Sequence, residues 1–175
     1  MLTMSRPSLR TDIDAAFIAT RSPWEVVEPM WWSVSVFDGP QQYERDLQRF
    51  SREQRLMFAC MCYVGEVNTG GHEQFYANNV GIVWRDALAG FQAFGETEVA
   101  RILEASVERL GGAPSLDRSE RFAYLLRLRP DFRDLDERFY RLESSRPLQD
   151  SLARTMRRNP TAFLMSGLIP DAAQA

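Results

Sequence analysis

The chain has no lysine, one histidine and two cysteines, and each shortage excludes a class of chemistry. All 21 of its cationic residues are arginines, so Schiff-base catalysis and the lysine of a phosphate-binding loop are excluded. One histidine, His72, cannot supply the two Glu-x-x-His pairs of a di-metal carboxylate bundle. Cys60 and Cys62 lie in the apolar run FACMCYV, where we expect buried free thiols rather than a disulfide framework or a zinc shell. We therefore predict no metal and no cofactor.

Long apolar runs are also missing, and so is a strong charge of either sign. No stretch reaches the roughly 20 apolar residues that cross a bilayer, and the first 14 residues lack the apolar segment of a signal peptide. We expect a cytoplasmic protein without a membrane span. Residues 1–116 hold 15 acids and 10 arginines, whereas residues 117–160 hold 8 acids and 11 arginines, within a net charge of −3. This balance gives no support for direct nucleic-acid binding.

What the sequence has in quantity is helical periodicity. Apolar residues recur at three- and four-residue spacing in successive segments, from residues 8–21 onward, and no region alternates as a strand does. Ser51 and Gln54 have the spacing of a capping box, which predicts a central helix from about residue 52 toward residue 67. We predict an all-α, single compact domain of about seven or eight helices over residues 1–168. Residues 22–37 are predicted as helix, and residues 169–175 as a frayed tail.

The most polar segment, EVNTGGHEQFYANN, spans residues 66–79. Its double glycine, Gly70 and Gly71, can end a helix through a left-handed conformation. Four polar side chains could then meet in one hydrogen-bonded cluster at a structural hinge: Glu66, Asn68, Gln74 and Asn78. The alternative is a ligand-binding or catalytic site formed by Glu66, Asn68, His72, Gln74 and Asn78. His72 has the chemistry of a general base, but no established catalytic motif surrounds it, so we assign no catalytic residue.

The same residues resemble the hallmark of a bacterial domain family of largely unknown function that includes a DNA mimic protein. The hallmark is a glutamate, an asparagine, two glycines, a glutamine, an aromatic pair and an asparagine, carried here by residues 66–78. The segment LDERFYRLESSRPLQDSLARTMRRNPTAF, residues 135–163, is similar to the closing segment of that family. The resemblance extends from about residue 43 to residue 163. It implies an all-α, single-domain fold.

The resemblance also implies a function, in which an acidic surface occupies the DNA-binding face of a transcription factor. That function requires carboxylates without interspersed cations, but the chain has 24 acids and 21 arginines. The front half offers a candidate acidic face: Glu96, Glu98, Glu104 and Glu108. We therefore predict a non-catalytic protein-interaction module that binds a basic protein partner, such as a DNA-binding protein. A homodimer formed through exposed Trp24, Trp31 and Trp32 is a further hypothesis.

Overall fold

The computed structural model describes residues 8–170 as a set of helices packed around one long, bent helix. The elements in chain order are β1 (Ser8–Ile13), α1 (Ala15–Thr20), α2 (Pro23–Trp31), α3 (Pro40–Leu47), α4 (Arg52–Ala77), α5 (Trp84–Ala93), α6 (Thr97–Arg109), α7 (Arg118–Leu128), α8 (Arg133–Ser145), α9 (Leu148–Arg158) and β2 (Met165–Pro170). Short 3-10 helices occupy Asn79–Val83 and Pro160–Phe163. Of the nine α-helices within the described residues, eight have seven or more residues. The predicted all-α class is confirmed.

Helix α4 is the centre of the packing, as its nearly all-round apolar pattern predicts. It begins with the predicted capping box: the Gln54 backbone N–H donates to the Ser51 hydroxyl at 3.1 Å, and the Ser51 backbone N–H donates to the Gln54 side-chain oxygen at 2.8 Å. Nine consecutive residues, Leu56–Val64, are buried. Helices α2, α5, α7, α8 and α9 all contact α4, which explains why no face of this stretch reaches solvent.

Helix α2 is shorter than the sequence predicts. It starts with a capping box between Ser22 and Glu25 but ends at Trp31, so residues 32–37 of the predicted helix form turns. Carboxylates take the hydrogen bonds that would continue the helix. The Ser35 backbone N–H donates to Asp46 at 2.9 Å, and the Ser35 hydroxyl donates to Asp38 at 2.7 Å. Local side-chain bonds of this kind compete with helix formation.

The two strands are a departure from the prediction of helix over residues 8–21. β1 and β2 pair antiparallel, with Ser8 opposite Pro170 and Ile13 opposite Met165. Helix α1 begins only at Ala15, where Asp14 caps it by accepting the Phe17 backbone N–H at 2.8 Å. The predicted tail boundary after residue 168 falls inside β2, and residues 171–175 lie outside the described residues. Local periodicity cannot reveal a pairing between segments about 150 residues apart.

Candidate functional site

The double glycine interrupts α4, as the sequence predicts: Gly70 and Gly71 have non-helical backbone angles, and the helical parts before and after them meet at a kink. Gly71 has φ 72° and ψ −173°, a conformation that residues with a side chain rarely adopt. A Cβ atom at position 71 would also lie 2.6 Å from the Asp136 Oδ2 atom. Glycine is thus required at this position both by the backbone and by the approach of α8. The bend brings the last turns of α4, which begin at His72, back toward Glu66.

Glu66 collects two of the predicted polar residues across the bend. Its Oε2 atom accepts hydrogen bonds from the Gln74 amide at 3.1 Å and from the Asn78 amide at 3.0 Å. Asn68 does not join this cluster, because its amide donates to Glu143 on α8 at 3.1 Å. The structure therefore brings together three of the four residues that the sequence placed in one cluster. The fourth connects α4 to α8 instead.

His72 belongs to a separate, buried group. Its side chain has no exposed surface, and its imidazole Nδ1 lies 2.5 Å from Asp136 Oδ1. Its Nε2 atom lies 2.8 Å from the Tyr63 hydroxyl. With an ionised Asp136, Nδ1–H donates to the carboxylate and the Tyr63 hydroxyl donates to Nε2. His72 is therefore not on the same surface as Glu66 and Asn68, contrary to the five-residue site considered from sequence.

The arrangement of Tyr63, His72 and Asp136 has the order of a hydroxyl, a base and an orienting carboxylate. Burial raises the pKa of the Tyr63 hydroxyl well above its usual value, and the negative charge of Asp136 adds to this effect. Tyr63 has no exposed surface either. In this conformation no substrate can reach either the hydroxyl or the imidazole. The group fastens α8 to the bend of α4.

Arg121 is a buried cation that sequence reasoning missed. Its guanidinium donates to four backbone carbonyls at the end of α4 or just before α7: those of Tyr76, Asn78, Ser115 and Leu116, at 2.7–3.1 Å. Burial lowers the pKa of Arg121 to about 10, which still leaves the group protonated at neutral pH. Gly81 makes room for it, since a Cβ there would lie 2.7 Å from Arg121 Nε. The only sequence signal was that Arg121 lies four residues before Leu125, on the same buried stripe of the helix. Because the chain has 21 arginines, such a spacing for one of them is not informative.

A groove adjoins the outer side of the bend, and we call it the α2–α4 groove. Its volume is about 530 Å³. Its lining includes Trp24 and Trp31 of α2, Glu66 and Asn68 of α4, and Glu143 of α8. Glu66, Asn68 and Thr69 are the residues of the polar segment that line it. Of the five residues considered from sequence as a ligand site, the groove therefore contains Glu66 and Asn68.

The predicted acidic face is smaller than the sequence suggested. Glu96 is buried, forms an ion pair with Arg146 at 2.8 Å and accepts a hydrogen bond from the Ser151 hydroxyl, so it cannot meet a partner. The other three acids, Glu98, Glu104 and Glu108, are exposed on α6. Glu96 is the residue before α6, and its distant partners, Arg146 just after α8 and Ser151 on α9, were not visible in the sequence.

The tryptophans proposed as a dimer surface are half-buried rather than exposed. Trp24 and Trp31 pack partly against the core, and their ring centroids lie 5.9 Å apart. The exposed large apolar side chains among the described residues lie elsewhere: Phe37, Phe122, Leu126, Leu128, Tyr140 and Leu164. Three of these belong to α7. Trp24 and Trp31 line the α2–α4 groove, whereas Trp31 and Trp32 line a second cavity of about 380 Å³ beside Phe37.

The described residues contain no group of His, Cys, Asp and Glu side chains arranged to hold a metal ion. Cys60 and Cys62 are both free and buried, and burial raises the pKa of each thiol. Within residues 8–170, none of the helices combines the length and the apolar character that crossing a bilayer requires.

These features define an all-helical domain built on one bent central helix. A family model described as DMP19-like protein matches residues 48–159, which is more than half of the chain. The chain belongs to this DMP19-like family. The matched segment contains Glu66, His72, Arg121 and Asp136, whereas Trp24 and Trp31 precede it. No curated protein and no solved structure shows significant similarity to the chain.

Proposed function

We propose that this protein is a non-catalytic, cytoplasmic interaction module that binds a basic protein partner, such as a transcription factor, in the manner of a DNA mimic. Membership of the DMP19-like family supports the proposal, because the family that the sequence resembles includes a DNA mimic protein. The observation that carries it is on α6. Glu98, Glu104 and Glu108 are exposed, and within the described part of the chain none has an arginine at ion-pair distance.

The acids of the rear half are different, because arginines neutralise several of them. Asp134 pairs with Arg109, and Glu137 approaches Arg141 at 3.8 Å. Hydrogen bonds from Arg133 lower the pKa of Asp131 to about 2. The negative potential available to a basic partner is therefore greater over α6 than over the exposed side of α8.

Two arginines reduce the potential of α6. Arg109 is already paired with Asp134. Arg101 is exposed and lies three residues after Glu98 and three before Glu104, so it shares the surface of both. The three glutamates still leave an excess of negative charge on this helix. An interaction based on so few charges should be weaker and more sensitive to salt than binding by a fully acidic surface.

The test is titration calorimetry with purified candidate repressors at low and at physiological ionic strength. We expect binding that weakens as salt increases, and displacement of the repressor from its operator DNA. Replacing Glu98, Glu104 and Glu108 together by Gln should weaken binding. The matched control replaces the arginine-paired acids Asp131, Asp134 and Glu137 by Asn, Asn and Gln.

The proposal requires the two triple variants to differ in their affinity for the repressor. Equal loss of affinity in both, or affinity indifferent to salt, would show that the carboxylates of α6 are not the binding surface. Absence of binding to every candidate repressor would remove the proposal. Direct binding of DNA by the chain itself is not expected, and a DNA mobility-shift assay checks that expectation.

A second candidate function, small-ligand binding, is favoured by the α2–α4 groove. Its volume of about 530 Å³ falls in the range of ligand pockets. The polar side chains of Glu66, Asn68 and Glu143 could orient a ligand there. The buried position of His72 supports binding rather than catalysis as the role of the segment. Calorimetry with a panel of small cations, anions and neutral molecules would test this function.

Self-association remains a separate proposal. The exposed apolar side chains of α7, Phe122 and Leu126, line a shallow depression of about 300 Å³ together with Leu125 and Pro130. Such a surface suits contact with another apolar surface. Sedimentation at increasing protein concentration would show a rising mass if a dimer forms. A constant monomer mass would remove this proposal.

A further inference from the structure

The charge in the α2–α4 groove is of one sign. Its charged lining residues are Glu66 and Glu143, and both are half-buried. Within residues 8–170, neither carboxylate has an arginine at ion-pair distance. Glu66 accepts from two side-chain amides, and Glu143 accepts from the Asn68 amide and the Leu148 backbone N–H. Neutral donors stabilise these carboxylates without cancelling their charge.

This lack of pairing contrasts with another buried carboxylate of the chain. Glu96, which is more deeply buried, has Arg146 at 2.8 Å. Two half-buried carboxylates on one concave surface create a field that is stronger than the field of exposed acids, because low-dielectric walls concentrate it. The groove therefore attracts a cation.

The aromatic wall favours a cation of a particular shape. Trp24 and Trp31 lie seven residues apart on α2, which is two helical turns, and their indole planes are inclined at 58°. An indole face attracts a cation through its quadrupole, and a flat guanidinium stacks on it well. A guanidinium also carries five N–H donors in a fixed fork, which can serve two carboxylates at once. An ammonium has a smaller, more strongly hydrated charge and cannot stack.

Gly65 is exposed and lines the groove. Apart from its chain neighbours and the backbone of its own helix, no atom lies within 4 Å of the position that a Cβ would take there. A glycine inside a helix lowers the stability of that helix, so the open space at Gly65 comes with a loss of helix propensity. It leaves space beside Glu66 for the methylene stem of a long side chain.

We propose that the α2–α4 groove binds the guanidinium of an arginine side chain presented by a basic protein partner. Glu66 and Glu143 accept its N–H groups, and one face of the guanidinium stacks on an indole ring of the Trp24–Trp31 pair. The source of the arginine rests on the proposed function, in which the partner is a basic protein. The chemistry of the groove does not depend on the proposed function, and none of the α6 glutamates lines the groove.

The test uses small probes, so that it is independent of any partner. Calorimetry would measure the binding of N-acetyl-arginine amide, N-acetyl-lysine amide and N-acetyl-citrulline amide to the full chain. Citrulline has nearly the shape of arginine without its charge. We expect saturable binding of the arginine probe, weaker binding of the lysine probe and no detectable binding of the citrulline probe. Tryptophan fluorescence should change in parallel, because two of the four tryptophans line the groove.

Two variants test the assignment to this groove. Glu66→Gln keeps the size of the side chain and should weaken binding of the arginine probe by about tenfold or more. Gly65→Leu adds a side chain where space is open and should abolish binding while the helix persists. Glu53→Gln is the matched control, because it removes a charge from the same helix outside the groove. Circular dichroism and thermal unfolding establish that each variant is folded.

The outcomes separate this inference from the proposed function. Equal binding of the arginine and citrulline probes, equal binding of arginine and lysine, or equal effects of Glu66→Gln and Glu53→Gln would overturn it. So would failure of the arginine probe to bind, even if a repressor binds through α6. If the probe binds as expected and no repressor binds, the groove chemistry stands and the proposed function fails.

Discussion

Asp136 holds His72 at two points, accepting its backbone N–H at 2.9 Å and its imidazole Nδ1 at 2.5 Å. The two residues are 64 positions apart, so this contact fastens α8 to the bend of α4. On the other side of the ring, the Tyr63 hydroxyl lies 2.8 Å from Nε2. Every polar atom of the buried imidazole therefore has a partner from the protein itself.

We expect Asp136→Ala to lower the free energy of unfolding by about 2 kcal/mol or more. The substitution leaves two N–H groups of His72 without an acceptor, and a buried unsatisfied donor costs about 1–3 kcal/mol. Urea denaturation followed by circular dichroism measures the change. Asp134→Ala is the control on the same helix, where an exposed ion pair with Arg109 is lost and only a small change is expected. Equal effects of the two substitutions would contradict a special role for Asp136.

The glycines of α4 should respond to alanine with opposite signs. At Gly71 the backbone has φ 72° and a Cβ would meet Asp136 at 2.6 Å, so Gly71→Ala should destabilise by about 1–3 kcal/mol from backbone strain alone. At Gly65 no atom lies within 4 Å, and Gly65→Ala should stabilise by about 0.5–1 kcal/mol. Thermal and urea unfolding of both variants would show the two signs. A stabilised Gly71→Ala variant would mean that the bend is not required.

We expect Arg121→Met to be strongly destabilising, by about 2 kcal/mol or more, because four backbone carbonyls lose their donor. Methionine keeps much of the apolar stem, so the loss reports mainly on the guanidinium. Arg127→Met is the matched control on the same helix. Arg127 is exposed and lies over the Tyr124 ring at 4.5 Å, a contact worth about 0.5–1 kcal/mol. Similar unfolding midpoints for the two variants would show that the hydrogen bonds of the buried Arg121 guanidinium do not stabilise the fold.

The free energy of unfolding should fall as pH rises above about 9. Burial raises the pKa of five groups above the usual values of 9.0 for a thiol and 10.0 for a phenol: Cys60, Cys62, Tyr43, Tyr63 and Tyr76. In this range the unfolded state releases protons that the folded state keeps, so the unfolded state gains stability with pH. Arg121 contributes in the opposite sense, because burial lowers its pKa to about 10, but the five groups with raised pKa values outnumber it.

Urea denaturation at a series of pH values measures that dependence. The double variant Cys60→Ala and Cys62→Ala should lose the part of the decline that begins near the thiol pKa and keep the part due to the tyrosines. Stability that stays constant or rises through the alkaline range would show that these groups titrate in the folded state as they do in the unfolded chain.

Helix positions were largely predictable because their determinants are local. Ser51 and Gln54 announced the start of α4 through a three-residue spacing, and Gly70 with Gly71 announced the bend. Asp136 was visible as part of the closing segment of the family resemblance, but nothing local connected it with His72. Glu96 was misassigned to the surface for the same reason, since three helices separate it in the chain from its partner Arg146.

The sequence by itself determined the helical class, the central position of α4, the free buried thiols and the family. These properties depend on composition, on spacing within a few turns and on a short motif. Only the tertiary structure decided that Ser8–Ile13 pairs with Met165–Pro170, that Arg121 is buried and that Trp24 faces Glu66 across a groove. Each of these features depends on contacts between segments that are distant in the chain. The free energy of such contacts must offset the entropy lost when the intervening chain is closed into a loop.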